Sequence, residues 1–186
     1  MFAGHFDFSH PLVWTVDGVL SDSACADLLR AHAEGPWLPA TVNASDGRVV
    51  DAKIRNNHLA LIDDPALADA LLERLRAELP TSLMGMTLSR LKSRMRCYRY
   101  EPGERFGPHG DQSYPGEPGE RSLLTLMVYL NEDFEGGETA FLELDQVIVP
   151  RRGMALLFQH MVLHEGREVR AGTKYVLRTD VFYREG

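Results

Sequence analysis

The second half of the chain constrains the fold most. From residue 86 onward, short segments rich in β-formers are set off by turns containing Gly, Pro and Asp. Several short strands with turn signals between them specify an antiparallel sandwich or barrel. Leu123–Leu130 is a nearly continuous apolar run, as a strand buried on both faces requires. Met95, Cys97 and Arg99 alternate with Arg94, Arg96, Tyr98 and Tyr100, which is the two-residue period of a strand. Val147–Val149, Ala155–Phe158 and Tyr175–Tyr183 read as further strands.

The first half reads differently. Asp22 caps a short amphipathic helix over Ser23–His32, and Gly35-Pro36 ends it. A second helix starts at Asp64-Pro65, a capping residue followed by proline at the first helical position. Ala66, Leu67, Ala70, Leu71, Leu75 and Leu79 then recur near every 3.6 residues until Pro80. Both helices read as packing elements. Between them Ala40–His58 is expected to form a hairpin with Ser45-Asp46-Gly47 at its tip. Gln112–Arg121, with two Pro-Gly-type turns, is expected to be a mobile surface loop. No linker divides the chain. It is expected to be one domain over 1–186, with a helical part at 1–85 and a β core at 86–186.

Composition narrows the function classes. A chain of 186 residues buries about 70% of its unfolded surface, so it needs no metal merely to fold. Any metal site is then expected to serve function. No apolar run reaches the ~18 residues of a membrane span, and MFAGHFDFSH lacks the pattern of a signal peptide. Cys25 and Cys97 form no CxxC and read as small core residues, which fits a reducing cytoplasm. A net charge of −7 argues against a nucleic-acid surface and points to a neutral or basic partner.

Among seven histidines, two stand out. In His109-Gly110-Asp111 an imidazole and a carboxylate sit two residues apart, so an extended backbone aims both the same way. His164 follows a strand-like segment 53 residues later. A His from a distant strand can complete a facial set of two His and one carboxylate, which leaves open positions on a six-coordinate metal. His160 shares its strand parity and is the rival ligand. In the strand Lys174–Tyr183, one face carries Lys174, Val176, Arg178, Asp180 and Phe182, which fits a wall of a polar cavity. Gly136-Gly137 reads as a tight turn, since no helix follows it to cradle a phosphate.

The chain resembles the Fe(II)- and 2-oxoglutarate-dependent dioxygenases, in their prolyl 4-hydroxylase-like branch. The resemblance rests on RYEPGERFGPHGD (Arg99–Asp111), RSLLTLMVYLNEDFEGGETAF (Arg121–Phe141), VPRRGMALLF (Val149–Phe158) and LHEGREVRAGTKYVLRTDVFY (Leu163–Tyr183). It implies a double-stranded β-helix, or jelly roll, mostly β and buttressed by the N-terminal helices. It implies His109, Asp111 and His164 as iron ligands. Lys174 matches the basic residue that holds the distal carboxylate of 2-oxoglutarate, with Tyr100 contributing to that grip. Thr125 matches a polar residue of the co-substrate pocket. Arg178 and Asp180 occupy matching positions to which no role is given. The cofactors implied are Fe(II), 2-oxoglutarate and O₂, with ascorbate as reductant. The reaction implied is hydroxylation of a C–H bond with release of succinate and CO₂, a prolyl residue of a protein or peptide being the leading substrate.

Charge supports the set. Fe²⁺ with two neutral imidazoles and one carboxylate keeps one positive charge. The 2-oxoglutarate dianion makes this negative, and one buried lysine restores neutrality. Three alternatives stay open at this point: a dioxygenase acting on a free amino acid or other small molecule, a non-catalytic metal-binding sensor, and a Zn²⁺ or Mn²⁺ cupin-type enzyme. His and carboxylate ligands do not themselves choose iron.

Overall fold

The computed structural model describes residues 6–32, 35–44 and 47–186. His5 and the expected turn residues Ser45 and Asp46 lie outside the described residues. In chain order the elements are β1 (Val13–Val16), α1 (Asp22–His32), β2 (Leu38–Pro39), β3 (Val42–Ala44), β4 (Gly47–Val49), β5 (His58–Asp63) and α2 (Pro65–Leu75). Then follow β6 (Ser82–Leu83), β7 (Met86–Leu91), β8 (Arg94–Tyr100), β9 (Phe106–His109), β10 (Glu120–Tyr129), β11 (Phe134–Gly136) and β12 (Thr139–Phe141). The last are β13 (Gln146–Ile148), β14 (Ala155–Gln159), β15 (His164–Gly166), β16 (Val169–Gly172) and β17 (Lys174–Arg184).

The main sheet runs β1-β14-β10-β17-β8-β5-β2, with β7 on the far half of β17 and β6 on β7. A second, four-stranded sheet runs β13-β12-β15-β9, and β11 pairs with β16. All these pairings are antiparallel. This is the mostly β jelly-roll architecture, with the two helices on one outer side. The hairpin β3–β4 forms as expected. The first 85 residues give the fold more than helices, since β1 and β5 extend the main sheet at both ends.

Strand alternation separates two apolar cores. From β8, Met95 and Cys97 face outward; from β10, Leu124, Leu126 and Val128; from β17, Leu177 and Val181. They meet Leu71, Leu72 and Leu75 of α2 and Cys25 of α1. The residues between them, Tyr98, Tyr100, Tyr129 and Val176, face inward with Phe141 and Phe158. Both faces of the central strands are thus buried, which is why Leu123–Leu130 shows no polar alternation. α2 starts as its sequence dictates: the Asp64 carboxylate accepts the Leu67 N–H at 2.9 Å and Pro65 opens the first turn. It stops at Leu75, short of the expected Pro80, because Arg76 and Glu78 turn back onto Glu73 and Leu75 in tight closing turns. Among the described residues no helix is long and apolar enough to cross a membrane.

Candidate metal centre and cavity

His109 ends β9 and His164 begins β15, and the two are direct partners across the strand pair. Their ring centroids lie 4.2 Å apart. Asp111 follows two residues on, its backbone C=O accepting the Met161 N–H at 2.8 Å. Gly110 packs against this same turn: a Cβ there would lie 3.3 Å from the Met161 carbonyl oxygen. One donor atom from each of His109, Asp111 and His164 lies within 4.8 Å of the others.

Each donor is also in the form a divalent cation needs. The Nδ1–H of His109 donates to the Gly107 carbonyl and that of His164 to the Val162 carbonyl, both at 2.9 Å. That fixes the tautomers and leaves both Nε2 lone pairs free. Burial, with the neighbouring His164, pushes His109 down to about 3, and burial also lowers His164. Both rings are therefore neutral. Burial alone would raise the Asp111 carboxyl. The Arg178 guanidinium, the two histidines and the Thr125 hydroxyl outweigh it and hold Asp111 well below the usual carboxylate range. Two neutral imidazoles and one carboxylate suit Fe(II). His160, the rival ligand, stands apart. It is buried in the turn before β15, and its Nε2 faces the Asp180 carboxylate at 3.6 Å.

The His109–Asp111–His164 cluster opens into a cavity of about 600 Å³ that Tyr100, Thr125 and Lys174 also line. Lys174 sits opposite Tyr100 in the β17–β8 register. Its ammonium donates to the Gly137 carbonyl at 2.6 Å and lies 5.2 and 5.4 Å from the ring centroids of Tyr100 and Tyr129. It is buried, with no carboxylate of the described residues within 4 Å. Burial brings it down to about 7, opposed only by Glu138. Burial holds the Tyr100 phenol up at about 12, so it is a donor. Thr125 lines the cavity, but its hydroxyl is committed to Asp111 Oδ2 at 2.6 Å. It steadies the Asp111 carboxylate.

Sequence reasoning left Arg178 and Asp180 without roles. Arg178 Nη2 donates to Asp111 Oδ2 at 2.9 Å, and Nη1 donates to Asp180 Oδ2 at 3.1 Å. Asp180 in turn accepts the Tyr114 hydroxyl at 2.6 Å, and Lys92 donates to Tyr114 at 3.0 Å. A buried chain of charges thus braces Asp111 and pins the 112–121 loop. Tyr129 was also missed. Its hydroxyl pairs with that of Thr139 at 2.8 Å, at the lysine end of the cavity. Both Tyr129 and Arg96 were legible by parity, one with Thr125 on β10 and the other with Tyr100 on β8. His58 lies beside Glu104, with Nδ1 3.1 Å from Oε1, and does not line the cavity.

The model of the 2OG-Fe(II) oxygenase superfamily matches residues 95–179. Those residues, just under half of the chain, are what is similar to that superfamily. Among curated proteins, a putative prolyl 4-hydroxylase of Acanthamoeba polyphaga mimivirus is 28% identical over 109 residues, which is 49% of this chain and 44% of that protein. The match thus spans less than half the length of the viral protein. A PKHD-type hydroxylase of Acaryochloris marina is 26% identical over 180 residues, covering 89% of this chain and 75% of the relative. In fold, the chain is similar to the viral collagen prolyl hydroxylase of Paramecium Bursaria Chlorella virus-1 in its 2OG complex. The TM-score is 0.68 at 24% identity, covering 94% of this chain and 97% of that one. A prolyl-4-hydroxylase of Pseudomonas putida gives 0.67 at 21%, covering 100% and 95%. A prolyl hydroxylase of Trichoplax adhaerens, solved with a hypoxia inducible factor peptide, gives 0.73 at 17%, covering 94% and 84%.

Proposed function

We propose that this oxygenase uses Fe(II), 2-oxoglutarate and O₂ to hydroxylate a C–H bond of a second substrate, releasing succinate and CO₂. One observation carries the reading: two neutral imidazoles and an ionised carboxylate face a cavity that also holds a buried lysine with no carboxylate of the described residues within 4 Å. His109, Asp111 and His164 would hold the metal, which supplies the oxidising chemistry when bound. Arg178 and Thr125 keep the Asp111 carboxylate ionised and oriented. Lys174 would take the distal carboxylate of 2-oxoglutarate, with the Tyr100 hydroxyl as second donor. The prolyl hydroxylases among its relatives make a prolyl residue the leading substrate. Ascorbate as reductant and a cytoplasmic location complete the proposal.

The test is 2-oxoglutarate binding to the iron-loaded, oxygen-free protein, followed by its charge-transfer absorption. Truncating one partner of a buried charge pair costs about 2–5 kcal/mol, so Lys174→Ala should weaken binding about 30-fold or more. Iron should still bind, because the lysine is not a ligand. His164→Ala should abolish iron binding and His160→Ala should not. If His160→Ala removes the metal and His164→Ala spares it, the ligand set is wrong. If Lys174→Ala has no effect on 2-oxoglutarate, the anchor is misplaced.

A further inference from the structure

The cavity is far more cationic than the proposed chemistry uses. Arg55, Lys92, Arg96, Lys174 and Arg178 all line it, against the single carboxylate of Asp111. Asp180 adds a second carboxylate behind Arg178. On the reading above, the charges of the metal and 2-oxoglutarate cancel, and Lys174 completes a neutral centre with Asp111 and the Arg178–Asp180 pair. Arg55, Lys92 and Arg96 are left over. None has a carboxylate of the described residues within 4 Å, although the chain as a whole carries a net charge of −7.

These cations are placed by the fold. Arg96 lies opposite Arg178 in the β8–β17 register, on the inward face it shares with Tyr98 and Tyr100. Arg55 is 5% exposed. Its Nε donates to Asn57 Oδ1 at 2.7 Å, while its Nη2 is buried with no hydrogen-bond partner. Its guanidinium lies 4.1 Å from the Phe106 ring centroid, and Phe106 stacks on His109 at 3.5 Å. A buried guanidinium with one nitrogen left without a hydrogen-bond partner is therefore one ring away from His109. The Lys92 ammonium donates to the Tyr114 hydroxyl at 3.0 Å and lies 4.7 Å from the centroid of its ring. Buried charges of one sign repel and are costly to desolvate, and a ligand of opposite charge relieves both costs.

We propose that the prime substrate carries a carboxylate close to the carbon that reacts, held by Arg96 and Arg55 with Lys92 nearby. This rests on the oxygenase reading and names the substrate class it left open. A prolyl residue inside a neutral peptide offers these cations carbonyl acceptors but no opposite charge. The same carboxylate can come from an acidic neighbour in a peptide, a free C-terminus or a free amino acid. The 2-oxoglutarate anchor does not account for Arg96. Its partner Arg178 lies four residues from Lys174, about 13 Å along the strand at ~3.3 Å per residue.

The test is calorimetric binding of four probes to the protein, with and without Fe(II) and 2-oxoglutarate and without oxygen. The probes are acetyl-Gly-Pro-Gly-amide, the same peptide with Glu beside the proline, the same peptide with a free C-terminus, and L-proline. At least one carboxylated probe should bind about tenfold or more tighter than the capped neutral peptide, and which one identifies the source of the carboxylate. Arg96→Gln and Arg55→Gln should remove that advantage while 2-oxoglutarate still binds. Arg55→Lys keeps the charge should the Gln variant fold poorly, and Arg94→Gln, exposed on the same strand, should change nothing. The proposal is overturned if the capped peptide binds as well as the others, or if no probe binds. It is also overturned if the Arg variants weaken 2-oxoglutarate as much as Lys174→Ala does. A protein that binds carboxylated probes but not 2-oxoglutarate would keep this site and lose the oxygenase reading.

Discussion

Lys174 shows at the residue scale how burial can prepare a ligand site. Burial disfavours its ammonium, Glu138 opposes this only in part, and the side chain titrates near 7. A carboxylate beside it would favour the charged form and raise that value. Binding of 2-oxoglutarate is therefore linked to proton uptake. The sign follows: below about pH 7 the lysine is already charged and affinity is flat. Above it each pH unit lowers affinity by up to about tenfold, until the raised value of the complex is reached. Titrations from about pH 6 to 9 should show this break, and calorimetry in buffers of different ionisation enthalpy should show proton uptake at the alkaline end. Lys174→Arg should bind without the break, because a guanidinium stays charged throughout. A wild-type affinity that stays flat to pH 9 would count against Lys174 as the anchor.

At the scale of elements, the turn between β11 and β12 decides where that lysine points. Gly136 and Gly137 both adopt positive φ, +77° and +67°. A Cβ on Gly136 would lie 2.3 Å from the Glu168 carbonyl oxygen, and one on Gly137 would lie 3.0 Å from Lys174 Cδ. The Gly137 carbonyl is itself the acceptor for the Lys174 ammonium. Gly137→Ala should therefore strain the turn, at a cost of order 1–3 kcal/mol, and push the lysine stem. The expected result is a lower melting temperature with weaker 2-oxoglutarate binding at unchanged iron affinity. Unchanged 2-oxoglutarate affinity would mean the turn does not position the lysine. The sequence showed this pair as a turn but not what it served, because nothing local links residue 137 to residue 174. The same limit explains what else was legible. Periodicity located both helices and most of the strands after residue 86, since those depend on neighbours in the chain. His109, Asp111 and His164 stood out because two share one strand end. Arg178 could not be read as a brace for Asp111, because that contact crosses 67 residues. The 112–121 loop read as mobile from its Pro and Gly, yet Tyr114 anchors it to Asp180 on β17.

Across the whole molecule, Glu120 ties the pieces together at one end of the main sheet. Its side chain has no exposed surface. It accepts from Ser89 and Arg90 of β7, from Arg184 of β17 and from the Glu117 N–H of the loop. Burial alone would raise this carboxyl, but the hydrogen bonds from Ser89, Arg90, Glu117 and Arg184 outweigh it and bring it down to about 2. A group depressed on folding contributes stability that is complete above its unfolded value and lost as pH falls through its folded one. For Glu120 that window runs from an ordinary 4.5 down to about 2. The full shift corresponds to roughly 3 kcal/mol. Arg90 and Arg184 keep much of their side chains in water, which screens the pair and leaves ~2 kcal/mol. Glu120→Gln should therefore be less stable than the parent by about that amount at neutral pH, with the gap closing on acidification. Other carboxylates, Asp180 among them, also weaken the fold in acid, so the quantity to follow is the difference between the two proteins. Urea unfolding at about pH 7, 5 and 3 measures it. A gap that persists undiminished at the lowest pH would show that Glu120 acts through shape and neutral hydrogen bonds, and that its charge does not hold β7, β10 and β17 together.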